Sequence, residues 1–173
     1  MSRQKGDIMR EVMISIQPKW VEKICRKEKT VEVRKTRPKC ETPFKVYIYC
    51  TKGKPTFTQS AFCDDVSNGK VIGEFVCDRI YDITPTSPHK YDCGWNVYEE
   101  HSRLTFDEFR NYLREKNGYA WHITDLVVYD EPRELSDFLL YNVRTYIDEE
   151  SGLPIPTHEI ARPFQSWGYV KAK

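Results

Sequence analysis

Lys29, Glu32 and Arg34 stand together in the stretch KTVEVRK, residues 29–35. A guanidinium offers a planar fork to a phosphate or a carboxylate. A neighbouring carboxylate can fix that arginine or accept from a base edge. A lysine amine close to a carboxylate can act as a general base or an electrostatic stabiliser. In a strand, period two places Thr30, Glu32 and Arg34 on one face and Val31 and Val33 on the other. The polar row is then either a solvated face or the floor of a site. A solvated Glu–Arg pair contributes only about 0–1 kcal/mol, and the stretch alone leaves both readings open.

Other residues carry similar potential. Thr51, with Lys52 and Lys54, closes the apolar run FKVYIYC, and ligand contacts often lie at a strand end. Near the end of the chain, RPFQSWGYV offers Arg162, Gln165, Ser166, Trp167 and Tyr169. Arg, Gln and Ser bond phosphates and base edges, and a Trp stacked on a base is worth about 1–3 kcal/mol. Tyr169 reads as a core aromatic of the last strand. Glu74, one residue past Gly73, is a candidate acid or base partner for Lys29. The catalytic candidates are thus Lys29, Glu32 and Glu74. His89, His101, His122 and His158 are dispersed. The six cysteines (25, 40, 50, 63, 77 and 93) show no C-x-x-C and no metal-ligand spacing, so no metal site is expected. Phosphate-loop, dinucleotide and H-E-x-x-H motifs are absent, and no cofactor is expected.

The charge is uneven. The chain carries a net +1, yet between Lys19 and Lys54 twelve Lys/Arg face four acids, a local +8. The remaining 15 bases and 22 acids give −7. Such asymmetry suits a polyanion partner, and Lys19 and Lys23 fall on the basic side of a helix. Length, 39% hydrophobic content and 13% aromatic content fit one folded domain over 1–173, with 1–10 a frayed start. No apolar run reaches a membrane span and no secretory pattern opens the chain, so a soluble cytoplasmic protein with reduced thiols and no membrane partner is expected.

The elements that must position these residues follow from periodicity. VMISI (12–16) reads as a strand. A helix starts near Pro18 and carries the stripe Trp20, Val21, Ile24 and Cys25. Strands are expected at 30–34, 44–51, 71–83, 119–130 and 166–171, with Gly73 a bulge or a close approach. A second helix over 105–118 has a Thr105–Glu108 capping box, an apolar stripe of Phe106, Phe109, Tyr112 and Leu113, and an Asn117–Gly118 stop. Segments 52–70 and 149–157 read as loops, and 131–138 as a turn leading to a short helical piece. About six consecutive strands with two or three helices predict an α+β fold, a partly closed barrel.

The ordered motifs SIQPKWVEKICRKEKTVEVRKTRP, VYIYCT, VIGEFVCDRI, GYAWHITDLVVYDEP and RPFQSWGYV resemble the ASCH domain, a PUA-like family. The resemblance covers roughly residues 12–170, and its ending is similar to that of many bacterial and phage-borne members. It implies a PUA-like β-barrel with a cleft beside the first helix, and RNA binding. Glu28 stands where the family usually has the glycine of a left-handed turn. One compact subgroup hydrolyses acetylcytidine and related amides with Lys, Thr and Glu, in the pattern K-T-x-T-x-R. Here Glu32 occupies the place of the threonine nucleophile, which argues against that acyl transfer.

The resulting expectation is an RNA- or nucleotide-binding module with a basic cleft. Its ligand residues are Lys19, Lys29, Glu32, Arg34, Thr51, Gln165, Ser166 and Trp167. The alternatives are a nucleoside amidohydrolase or ribonuclease acting through Lys29 and a carboxylate, and a phage-derived adaptor whose 139–160 loop binds another protein.

Overall fold

The computed structural model describes residues 11–53, 68–87, 90–92, 97–141 and 156–173. The frayed start expected over 1–10, most of the 52–70 loop and the middle of 139–160 lie outside them.

Eleven strands and two α-helices are described. The strands are β1 (Glu11–Ile16), β2 (Val31–Arg34), β3 (Phe44–Cys50), β4 (Val71–Cys77), β5 (Ile80–Ser87), β6 (Lys90–Asp92), β7 (Gly118–His122), β8 (Thr124–Arg133), β9 (Phe138–Tyr141), β10 (Pro156–Glu159) and β11 (Trp167–Ala172). The helices are α1 (Pro18–Cys25) and α2 (Phe106–Leu113). A π-helical turn covers Val97–Ser102, and a 3-10 turn covers Leu135–Asp137. Seven strands form one sheet in the order β10-β9-β11-β1-β3-β4-β8, and four form another in the order β2-β7-β5-β6. The architecture is α+β, and the two sheets do not close into a continuous barrel among the described residues.

Two expected strands are each divided between the sheets. The apolar run 71–83 is β4 in the large sheet and β5 in the small one, with Asp78 and Arg79 between them. Likewise 119–130 is β7, then Ile123, then β8. Both halves are extended and apolar, so periodicity runs on through the corner. Pro156 and Thr157, expected in a loop, begin β10.

Three apolar clusters hold the sheets and helices together. Val12, Ile14 and Ile16 of β1, Val46 and Ile48 of β3, and Phe75 of β4 pack against Val21 and Ile24 of α1 and Trp121 of β7. The opposite face of the large sheet buries Met13, Tyr47, Val71, Phe138 and Val170. Behind the small sheet, Val31, Val33 and Ala120 pack on Phe109 and Leu113 of α2. This explains the near-continuous apolar runs of β1 and β3, which are covered on both faces. The valine face of β2 therefore points to α2, as period two requires.

Both helices end on left-handed residues that are not glycine. After α1, Lys27 has φ +60°, one position before the expected glycine site at Glu28. The capping box is present, with the Thr105 side chain accepting from the Glu108 N–H. The stop is earlier than expected: Arg114 and Glu115 take φ of +53° and +58°, and Gly118 already opens β7.

Candidate functional site

The parallel pairing of β1 with β3 brings the ends of both strands together, Ile16 opposite Cys50. Thr51 follows Cys50 and donates its N–H to the Ile16 carbonyl at 2.9 Å. The segment before β11 joins the same place. Ser15 N–H donates to the Ser166 carbonyl at 2.9 Å, and Ser15 Oγ donates to the Phe164 carbonyl at 2.6 Å. The small sheet supplies the remaining wall, because β2 is its edge strand. A cleft of about 820 Å³ opens here between α1, β2 and α2.

Of the expected ligand residues, Lys19, Lys29, Glu32, Arg34, Thr51, Gln165 and Ser166 line this one cleft. At its base, Lys29 is 2% exposed, Glu32 6% and Arg34 7%. Glu32 bridges the two cations: Oε2 lies 3.2 Å from Lys29 Nζ and Oε1 lies 3.1 Å from Arg34 Nη2. Lys29 Nζ also donates to the Ser102 carbonyl at 2.7 Å, and Arg34 Nη2 donates to the Ser15 carbonyl at 2.6 Å. The trio carries a formal net +1 and is almost wholly buried. Burial pulls the Lys29 pKa down, the Glu32 carboxylate opposes that pull, and the net direction is below the ordinary lysine value. Arg34 Nε is covered and makes no hydrogen bond among the described residues, and Glu32 Oε2, also covered, has the Lys29 ion pair.

Thr30 does not continue the polar row. Its hydroxyl meets His101 Nδ1 at 3.0 Å, and Lys29 takes the place beside Glu32. Strict alternation begins only at Val31, where the β2 ladder starts, so the period could not be extended back through the turn.

Two expected site residues lie elsewhere. Glu74 is on the large sheet, with Lys45 Nζ at 2.8 Å and the Tyr129 hydroxyl at 2.5 Å. Burial pushes its carboxyl up, but those two hydrogen bonds win and hold it below the usual range. Glu74 pairs in register with Tyr47, whose ring lies in the cluster on the far side of that sheet. It is therefore no partner for Lys29. Trp167 packs against Trp121 at a centroid distance of 5.9 Å and against Tyr169 at 5.6 Å. Its Nε1–H donates to Thr36 Oγ1 at 3.0 Å. It anchors the loop after β2 and does not line the cleft.

The sequence reading missed Trp20, Glu108 and Tyr112, which do line it. Trp20 and Tyr112 were absorbed into apolar helix stripes, and Glu108 into the capping box. Lys19 Nζ lies 4.3 Å and Lys29 Nζ 5.4 Å from the Trp20 ring centroid. Lys19 also pairs with Glu108 at 3.1 Å, joining α1 to α2 across the mouth. Among the described residues no group of His, Cys, Asp or Glu is placed to hold a metal ion, and no helix is long and apolar enough to cross a membrane.

No protein-family model matches the chain, and no curated protein matches it. Solved structures do. The chain is similar to the ASCH protein from Zymomonas mobilis, with a TM-score of 0.52 and 21% identity over 73% of this chain and 74% of that one. A serine-to-alanine variant of that protein gives 0.56 and 18%, over 94% and 89%. A tyrosine-to-phenylalanine variant gives 0.52 and 20%, over 73% and 76%. At these identities the likeness is one of fold.

Proposed function

We propose that this chain, which has the fold of the ASCH structures, is a module that binds RNA or a modified nucleotide in the cleft between α1, β2 and α2. The observation that carries this reading is the Lys29–Glu32–Arg34 trio at the base of the cleft, in which one carboxylate faces two cations and leaves a formal net +1. An anionic ligand offsets the uncompensated cation. Gln165, Ser166 and Thr51 add donors and acceptors for a base edge. Trp20 and Tyr112 supply aromatic surface, and Lys19 and Lys35 at the cleft wall suit a phosphate.

The test is a titration of short single-stranded RNAs and nucleoside monophosphates at several salt concentrations. Binding is expected at low salt, weakening steeply as salt rises. No binding to either ligand class at low salt overturns the proposal.

One observation favours a second reading, an enzyme acting on RNA. A Lys29 amine whose pKa burial holds below the ordinary lysine value, 3.2 Å from Glu32, is suited to general-base work. The missing threonine nucleophile matters less for RNA than for an acylated base, because a ribose 2′-hydroxyl can itself attack the adjacent phosphorus. Lys29 would take that proton as the 2′-oxygen bonds to phosphorus and the bond to the 5′-oxygen breaks, and the protonated Lys29 would then return it to the departing 5′-oxygen. Cleavage leaving a 2′,3′-cyclic phosphate, lost in Lys29→Met, is the expected result. Intact RNA after prolonged incubation with the wild type removes this reading and leaves the binding module.

A further inference from the structure

The local excess of basic charge is not spent evenly. In the window from Lys19 to Lys54, carboxylates engage Lys19, Lys23, Arg26, Lys29, Arg34 and Lys45. Lys35, Arg37 and Lys39, on the loop after β2, have no carboxylate within ion-pair distance among the described residues, and neither has Arg79. Lys27 and Lys52 are also without a carboxylate among the described residues, but Lys35, Arg37 and Lys39 lie together on one loop, which adds to the single excess charge at the base of the cleft.

A second concavity of about 610 Å³ lies on this loop, lined by Arg37, Lys39 and Arg79 with Glu41 as its one carboxylate. It lies next along the chain: Lys35 and Thr36 line the cleft and the following residue, Arg37, lines the second concavity. The loop is firmly held. Trp167 Nε1–H bonds Thr36 Oγ1 at 3.0 Å, and the Lys39 N–H donates to the Tyr169 hydroxyl at 2.7 Å. Arg37 lies over the Tyr119 ring at 5.7 Å, and Arg79 over the Tyr81 ring at 6.0 Å. An arginine on an aromatic face keeps its N–H edge available for phosphate.

We infer that a strand whose base enters the cleft continues over Lys35 into the Arg37–Lys39–Arg79 concavity, so that the ligand is a single-stranded nucleic acid and not a free nucleotide. This rests on the cleft reading above. The base and its first phosphate engage the cleft, and the following phosphates engage the loop. A loop whose cations have no carboxylate partner binds such a polyanion without first breaking ion pairs of its own.

The experiment compares uridine monophosphate with an RNA oligonucleotide of roughly eight nucleotides, in the range of single-strand site sizes, on wild type and on the Arg37→Ala/Lys39→Ala/Arg79→Ala variant. In the wild type the oligonucleotide binds more tightly and the mononucleotide displaces it. In the variant the oligonucleotide-to-mononucleotide affinity ratio falls about tenfold, and the slope of log K against log salt drops by about two, as for three lost phosphate contacts at about 0.7 each. If the triple variant fails to fold, Lys39→Glu, an exposed single change, is expected to lower the same ratio. An equal ratio in wild type and variant overturns the inference while the cleft reading stands. Wild type binding neither ligand overturns the cleft reading itself. Polyglutamate binding as tightly as the oligonucleotide overturns the assignment to nucleic acid.

Discussion

Glu32 is the residue on which the cleft depends, because one carboxylate counter-charges two buried cations. Glu32→Gln would leave Lys29 and Arg34 facing each other with no anion between them. Breaking a buried ion pair by removing one partner costs about 3–5 kcal/mol. The expected result is a lower urea midpoint at an unchanged m-value, and a midpoint equal to wild type would show that the pair is solvated. Lys29 gives a pH signature whose sign can be worked out. Its pKa is lowered in the folded protein, by burial first and against the pull of Glu32. Between that lowered value and the ordinary lysine value, the unfolded chain holds the extra proton, so stability rises with pH. Below the lowered value the full cost of burying the charge is present. Lys29→Met removes this dependence and leaves the Glu32–Arg34 pair balanced. From about pH 7 to about pH 10, a range below the ordinary lysine pKa, wild type is expected to gain stability relative to Lys29→Met. A pH-independent difference between the two denaturation series would show that Lys29 does not titrate there. That Lys, Glu and Arg occur together was plain in KTVEVRK. Their burial was not, because alternation separates the faces of a strand without saying what covers each.

Elements set the cleft's walls, and two small features fix their positions. Gly73 lies where β4 meets β8. A Cβ added there would sit 2.4 Å from the Val127 carbonyl oxygen and 3.2 Å from the Val128 Cα. Both are backbone atoms of β8, so the strand itself would have to move. Gly73→Ala is expected to cost about 1–3 kcal/mol, as for other overpacked sites, and to raise amide exchange in β8 first. Unchanged exchange there would mean that the edge strand shifts freely. This close approach was legible in the sequence as a glycine inside an apolar run. The anchoring role of Trp167 was not, because the hydroxyl it bonds, Thr36, lies 131 residues away. The capping box of α2 needs only four consecutive residues and could be read directly. Its consequence, Glu108 reaching Lys19 on α1, spans 89 residues and could not.

At the scale of the molecule, the last strand holds the large sheet together. β11 lies between β9 and β1, pairing Val170 with both Glu11 and Leu140. It also carries Trp167 and Tyr169, which bond the basic loop. Deleting residues 167–173 would strip β9 and β10 from the sheet and release that loop at once. The expected result is loss of a cooperative thermal transition by circular dichroism, and a sharp transition near the wild-type temperature would count against this. The charge pattern also changes meaning at this scale. A local +8 was visible by counting, but half of the bases in that window are paired with carboxylates. Only the fold separates these from the unpaired loop cations.

What the sequence determined by itself was local. The strand and helix periods, the capping box and the clustering of basic residues all follow from neighbours a few positions apart. The ordered motifs added the fold's likeness. The tertiary structure alone decided that β4 and β5 belong to different sheets, that Glu74 lies away from the cleft, and that Trp20 and Tyr112 line it. It also placed Lys29, Thr51 and Ser166 around one opening. The physical reason is that a site is defined by what packs over a side chain. That packing is set by pairings such as β1 with β3 and β1 with β11, which no local period encodes.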